Sequence, residues 1–65
     1  MAQFIFTDRE YKILSLLNQG FNNKTIAYEA GISVNTVKYH LKNIFRKLSA
    51  CNRLEAIQNF NALET

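Results

Sequence analysis

Lys38, Lys42 and Arg46 recur at intervals of four residues, with Asn35 and Tyr39 set among them. No Asp or Glu occurs between Ile32 and Leu54, whereas Lys38, Lys42, Arg46, Lys47 and Arg53 all fall there. On a helix, side chains four apart stand one above the other. Long cations, an amide and a phenol arranged in this way donate many hydrogen bonds and concentrate positive charge. That chemistry suits a polyanion rather than a reaction. A solvated face usually mixes charge signs in i,i+4 pairs, and this stretch has no acid to pair. On charge alone the solvated reading stays open.

Catalysis has no comparable foothold. The sequence shows no paired-carboxylate site, no nucleophile with a base, and no glycine-rich phosphate loop. Cys51 and His40 are the one cysteine and the one histidine, which excludes an internal disulfide and any zinc-ligand spacing. The expectation is a protein that is not an enzyme, with no metal and no cofactor. There is no apolar run near 20 residues, so no membrane span is expected. The start "MAQFIF" lacks the basic and apolar blocks of a secretion signal. The expected location is cytoplasmic, with Cys51 a reduced thiol. Its reading as a redox sensor lacks a nearby thiol to resolve it.

The elements that position the cations follow from the rest of the chain. Sixty-five residues, 48% hydrophobic and 20% charged, make one globular domain over 1–65 rather than a disordered segment. A chain of this length buries only about 60% of its unfolded surface. Well-packed helices, or a second chain, must supply the stability. Proline is absent and glycine occurs twice, which permits long helices. The expected fold is all-α, a four-helix bundle with helices over 8–18, 23–30, 34–48 and 53–63.

Each start has a local cause. "FTDRE" is a capping box: Thr7 accepts from the amide three residues on and Glu10 returns to the amide of Thr7, while Phe6 and Tyr11 occupy the staple positions. Tyr11, Leu14 and Leu17 form one apolar line, with Ile13 and Leu16 beside it, and Gly20 suits a left-handed stop. Asn22 caps the second helix, whose Ile26 and Ala27 face inward, and Gly31 ends it. Ser33 caps the third. "NRLE" repeats the capping logic at the fourth, with Asn52 as cap. At about 100° per residue, Val34, Val37, Leu41, Ile44, Phe45 and Leu48 share one sector of the third helix. Asn35, Lys38, Tyr39, Lys42 and Arg46 share another.

A short helix, a three-residue "GIS" joint and a second helix with a basic outer face describe a helix-turn-helix. Ala27 is small enough for a close crossing, Gly31 makes the turn, and Val37 plugs the crossing. An ordinary helical hairpin is the alternative, and it would not need the stripe. In a helix-turn-helix the second helix enters the major groove of DNA. Lys38 and Lys42 then reach guanine edges, Asn35 an adenine or a phosphate, and Tyr39 a thymine methyl or a phosphate. Thr36 suits a phosphate at the helix start. Asn23, Lys24, Arg46, Lys47 and Arg53 are assigned to the sugar–phosphate backbone, where contacts position without specifying. Two rivals remain at this point: a protein-interaction module whose basic helix meets an acidic partner, such as a polymerase-associated factor, and a nonspecific nucleic-acid binder. RNA is the weaker nucleic-acid option, because arginine-rich and single-strand aromatic signatures are missing.

The stretches "FTDRE", "LLNQGFNNKTIA", "GISVNTVKYHLKNIFRKL" and "NRLEA" align without a gap from Phe6 to about Ala56. Together they resemble the LuxR/FixJ-type (germination-regulator-like) DNA-binding domain of bacterial transcription factors. The resemblance implies sequence-specific binding of double-stranded DNA by a transcriptional regulator. It implies structural roles for Glu10, Leu14 and Gly20, base-facing roles for Lys38, Tyr39 and Lys42, and positions near phosphate for Thr36, Lys24 and Arg53. His40 falls between core and rim. Asp8 stands where the family often has proline, Ser49 where it often has glycine, and Cys51 where it often has a phosphate-contacting residue.

The fourth helix carries Leu54, Ala56, Ile57, Phe60 and Leu63, more apolar surface than one small core needs. The resemblance implies that this helix makes a two-fold contact. Leu54, Ile57, Gln58 and Asn61 are therefore expected at a homodimer face, with a pseudo-palindromic DNA site. The alternative is that Ile57 and Phe60 simply cover the first helix. RNA polymerase is a further partner that the resemblance brings in. The chain reads either as a stand-alone regulator or as a domain excised from a larger one.

Overall fold

The computed structural model describes residues 6–64; the expectation drawn from the first five residues lies outside them. Four helices follow one another: α1 (Asp8–Asn18), α2 (Asn23–Ala30), α3 (Val34–Lys47) and α4 (Arg53–Glu64). No strand occurs among the described residues, so the all-α expectation holds. Two boundaries move by one residue. Leu48 is the C-cap of α3 rather than its last helical residue, and α4 runs on to Glu64.

The helix starts form as their side chains dictate. Glu10 N–H donates to Thr7 Oγ1 at 3.1 Å and Thr7 N–H donates to Glu10 Oε1 at 2.9 Å. Phe6 and Tyr11 meet edge to face at 5.5 Å, closing the staple. Asn22 Oδ1 accepts from the Thr25 amide at 2.9 Å, and Ser33 Oγ from the Thr36 amide at 3.1 Å. At α4, Asn52 Oδ1 accepts from the Glu55 amide at 2.9 Å. The Glu55 carboxylate reaches one residue further back than a capping box requires, to the Cys51 amide at 2.8 Å.

The first three helices end in the same way. Gly20, Gly31 and Ser49 all have positive φ, at 93°, 70° and 54°. Each is followed by an amide that donates back five positions: Phe21 to the Leu16 carbonyl, Ile32 to Ala27 and Ala50 to Phe45. These pairs satisfy helix-end carbonyls in the Schellman manner. Glycine adopts that backbone without strain, while serine does so at a cost.

The core is Phe6, Ile13, Leu14, Leu17, Ile26, Ala27, Val37, Leu41, Ile44, Leu48, Ala56 and Phe60. Packing joins α2 to α3, α1 to α2, α3 and α4, and α4 to α3. Ala27 and Val37 are both buried in it, as the helix-turn-helix spacing requires. Four apolar residues assigned to core lines sit further out. Tyr11 is exposed and lays its ring edge against Phe6 and Phe60. Val34, at the first position of α3, is exposed. Phe45 and Leu16 pack against the core from its edge.

Candidate nucleic-acid interface

The orientation of α3 fixes what the molecule offers to solvent. Val37, Leu41 and Ile44 are buried, and this turns the opposite side of the helix outward. Asn35, Lys38, Tyr39, Lys42 and Arg46 are all exposed. The structure thus brings the whole predicted stripe onto one free face. Tyr39 is 64% exposed, with its ring edge-on to His40 at 5.7 Å.

The start of α3 adds donors to the same end of the helix. The hydroxyls of Ser33 and Thr36 lie 2.8 Å apart, so one donates to the other. Thr36 remains half-buried, beside the positive end of the helix dipole, a place that favours an anion. At α2, Lys24 is exposed and Asn23 half-buried, one residue from the cap.

Two of the predicted backbone-contacting cations have protein partners instead of open solvent. Lys47 Nζ lies 2.7 Å from Glu10 Oε1 and 5.6 Å from the centroid of the Phe6 ring. The structure places it at the junction of α1 and α3, about 100° further around α3 than Arg46 and away from the stripe. Glu10 is 5% exposed. Burial works to raise its carboxyl, but the Lys47 hydrogen bond, the Thr7 amide and the charges of Lys47 and His40 outweigh it and hold the group below the usual carboxylate value.

Arg53 is the other. Its Nη1 donates to Asn23 Oδ1 at 3.2 Å and its Nη2 to the Phe21 carbonyl. Two residues assigned separately to phosphate are thereby joined across 30 positions of sequence. Residue types and local spacing gave no signal for either long-range pair.

The α4 residues separate into two sets. Leu54, Gln58 and Asn61 are exposed, and Leu54 is 64% so. Ile57 is half-buried and packs against the core, while Ala56 and Phe60 are buried. Asn59 Nδ2 donates to the Leu48 carbonyl at 2.9 Å, fastening α4 to the end of α3. Leu48, Ser49, Asn59, Ala62 and Leu63 line a groove of about 250 Å³ there. Among the described residues no cluster of three or more His, Cys, Asp or Glu comes together, and no helix is long and apolar enough to cross a membrane.

Comparison with known proteins adds a separate line of observation. Residues 5–60 match the family model described as bacterial regulatory proteins, luxR family. The chain is 40% identical over 57 residues to the HTH-type transcriptional regulator MalT of Vibrio cholerae, covering 88% of this chain and 6% of that protein. MalT of Vibrio campbellii is 43% identical over 51 residues, 78% of this chain and again 6% of the relative. The "Probable transcriptional regulatory protein SgaR" of Hyphomicrobium methylovorum is 51% identical over 51 residues, 78% of this chain and 24% of its own length. The chain therefore spans a small part of the curated relatives it matches. No solved structure matches it.

Proposed function

The chain belongs to the luxR family of bacterial regulatory proteins, and on that footing we propose that it binds double-stranded DNA in a sequence-specific manner and regulates transcription. The observation that carries this reading is the exposed, acid-free face of α3, presented by a helix-turn-helix whose joint is fixed by Gly31. α3 enters the major groove. Lys38 and Lys42, one turn apart, read guanine O6 and N7; Asn35 and Tyr39 complete the base-facing set. Lys24, Asn23, Thr36 and Arg46 hold the phosphates on either side. Lys47 drops out of the phosphate set, since its ammonium serves Glu10. No bond is made or broken, and the protein acts by occupancy rather than as an enzyme.

Leu54, Gln58 and Asn61 recur at four- and three-residue spacing on the exposed side of α4, and Ile57 flanks them. Through this face two copies pair on DNA, so the site has two half-sites about one helical turn apart. RNA polymerase is the partner that a promoter-bound copy meets next, and the cytoplasm is where that meeting takes place.

Titration against duplexes of different sequence at several salt concentrations tests the reading. It predicts a steep negative dependence of log affinity on log salt, together with a specificity ratio of roughly 10³ or more. A steep slope with no sequence preference would leave only a nonspecific binder. Weak binding at every salt concentration would favour a protein-interaction module.

A further inference from the structure

Arg53 stands where a phosphate contact is expected, yet its guanidinium points back into the molecule. Nη1 is bonded to Asn23 Oδ1 at 3.2 Å and Nη2 to the Phe21 carbonyl. Those two acceptors flank Asn22, the cap of α2. They belong to the segment that delivers the exposed Lys24. Arg53 itself is the first residue of α4 and only half exposed. A planar fork can hold two acceptors in fixed directions at once, which a single ammonium cannot do.

We infer that Arg53 is a positioning residue: it braces the start of α2 against the start of α4, and its effect on DNA binding passes through Lys24 rather than through a phosphate contact of its own. This inference rests on the proposed DNA-binding reading and deepens it. It also gives α4 a second task. Leu54, the exposed residue proposed for pairing, is the immediate neighbour of Arg53, so the pairing face and the brace share one turn of helix. A contact that orders the first turn of α4 orders the grip of α2 with it.

The test is a double-substitution cycle read in salt slopes, using one duplex of arbitrary sequence at low to moderate salt. Backbone grip does not depend on sequence, so the measurement does not require a known operator. Lys24→Ala removes one phosphate contact and lowers the slope by about 1. If Arg53 is a brace, Arg53→Gln lowers it by about 1 through the loss of Lys24, and the double variant by about 1 in total. Arg53→Lys, which keeps the charge but loses the fork, behaves like Arg53→Gln.

A direct phosphate contact gives the opposite pattern. The slopes add to about 2 in the double variant, and Arg53→Lys retains the wild-type slope; either result overturns the inference. Asn23→Ala, read in the salt slope alone, provides a second route should Arg53→Gln unfold: it removes one acceptor and leaves the arginine charge, and a neutral amide's own phosphate contact does not enter the slope. The brace predicts that Asn23→Ala lowers the slope in the wild type and does nothing further in the Lys24→Ala background. A further fall in slope in that background contradicts it. A wild-type chain that binds no duplex at all overturns the proposed function and the brace together, and is distinguished by failing before any substitution is made.

Discussion

The Lys47 ammonium sits 2.7 Å from the Glu10 carboxylate, joining the last turn of α3 to the first turn of α1. Glu10 already closes the capping box with Thr7, so one buried carboxylate serves a helix start and a helix–helix joint. Replacing Lys47 with methionine keeps the stem and removes the charge. Glu10 is then left buried without its cation, at a cost of about 1–3 kcal/mol. The value falls below that of a fully buried pair because Lys47 is 36% exposed. Denaturant titration measures this. If Lys47 serves Glu10 and holds no phosphate, as proposed, the salt slope for DNA stays at the wild-type value.

Stability should also fall in acid for a definite reason. The Glu10 carboxyl in the folded chain lies below its ordinary value. A depressed carboxylate binds protons more weakly when folded than when unfolded. Its contribution is therefore fully present above the unfolded value of about 4.3 and is lost as pH falls through the lower folded value. Melting curves between about pH 6 and pH 3 should fall steeply for the wild type and less steeply for Glu10→Gln. Equal slopes for the two chains would show that Glu10 does not carry the effect.

Ser49 offers a stabilising substitution. It takes the position that Gly20 and Gly31 take in the other helix ends, and its φ of 54° is left-handed. Ser49→Gly relieves about 1–2 kcal/mol of strain and adds back some unfolded-chain entropy, for a net gain of about 0.5–1 kcal/mol. In a chain of this size 1 kcal/mol is a Tm rise of roughly 4–8 °C. Gly31→Ala should do the reverse, through φ alone, since a Cβ there has no neighbour within 4 Å. Calorimetry on the two variants gives shifts of opposite sign if the helix ends behave as described.

On α4, neighbouring residues should separate by kind. Leu54→Ala is expected to leave folding stability within about 0.5 kcal/mol while weakening cooperative binding to a two-half-site duplex. Ile57→Ala removes a residue packed against the core and should cost about 1–3 kcal/mol of stability. Thermal melts and binding to one and two half-sites distinguish them. Unchanged cooperativity in Leu54→Ala would remove this face from the pairing proposal.

Most of the fold was legible because its determinants are local. The caps at Thr7, Asn22, Ser33 and Asn52 act on amides three residues away, and Gly20 and Gly31 act on their own φ. The core side of α3 followed from periodicity. Contacts closed by the tertiary fold were not legible. Glu10 and Lys47 are 37 residues apart, and Arg53 and Asn23 are 30 apart. Nothing in residue type says that a cation on the flank of a helix finds an acid or an amide there rather than a phosphate. α4 resisted for another reason. Its apolar residues, Leu54, Ala56, Ile57, Phe60, Ala62 and Leu63, lie all around the helix, so periodicity could not separate the covered Ala56 and Phe60 from the exposed Leu54 and Leu63. Tyr11 and Val34 share the core period yet lie at its rim: Tyr11 stays exposed while its ring meets Phe6 and Phe60, and Val34 is the first residue of α3.

The exposed face of α3 carries the central claim, and selection from a randomised duplex pool tests it most directly. The wild type, Lys38→Ala and Lys42→Ala would be taken through the same selection and sequenced. The account predicts a shared motif for the wild type, with each variant losing preference at one base pair and about 1–3 kcal/mol on the wild-type site. Recovery of no shared motif, or variants that weaken every sequence equally, would contradict it.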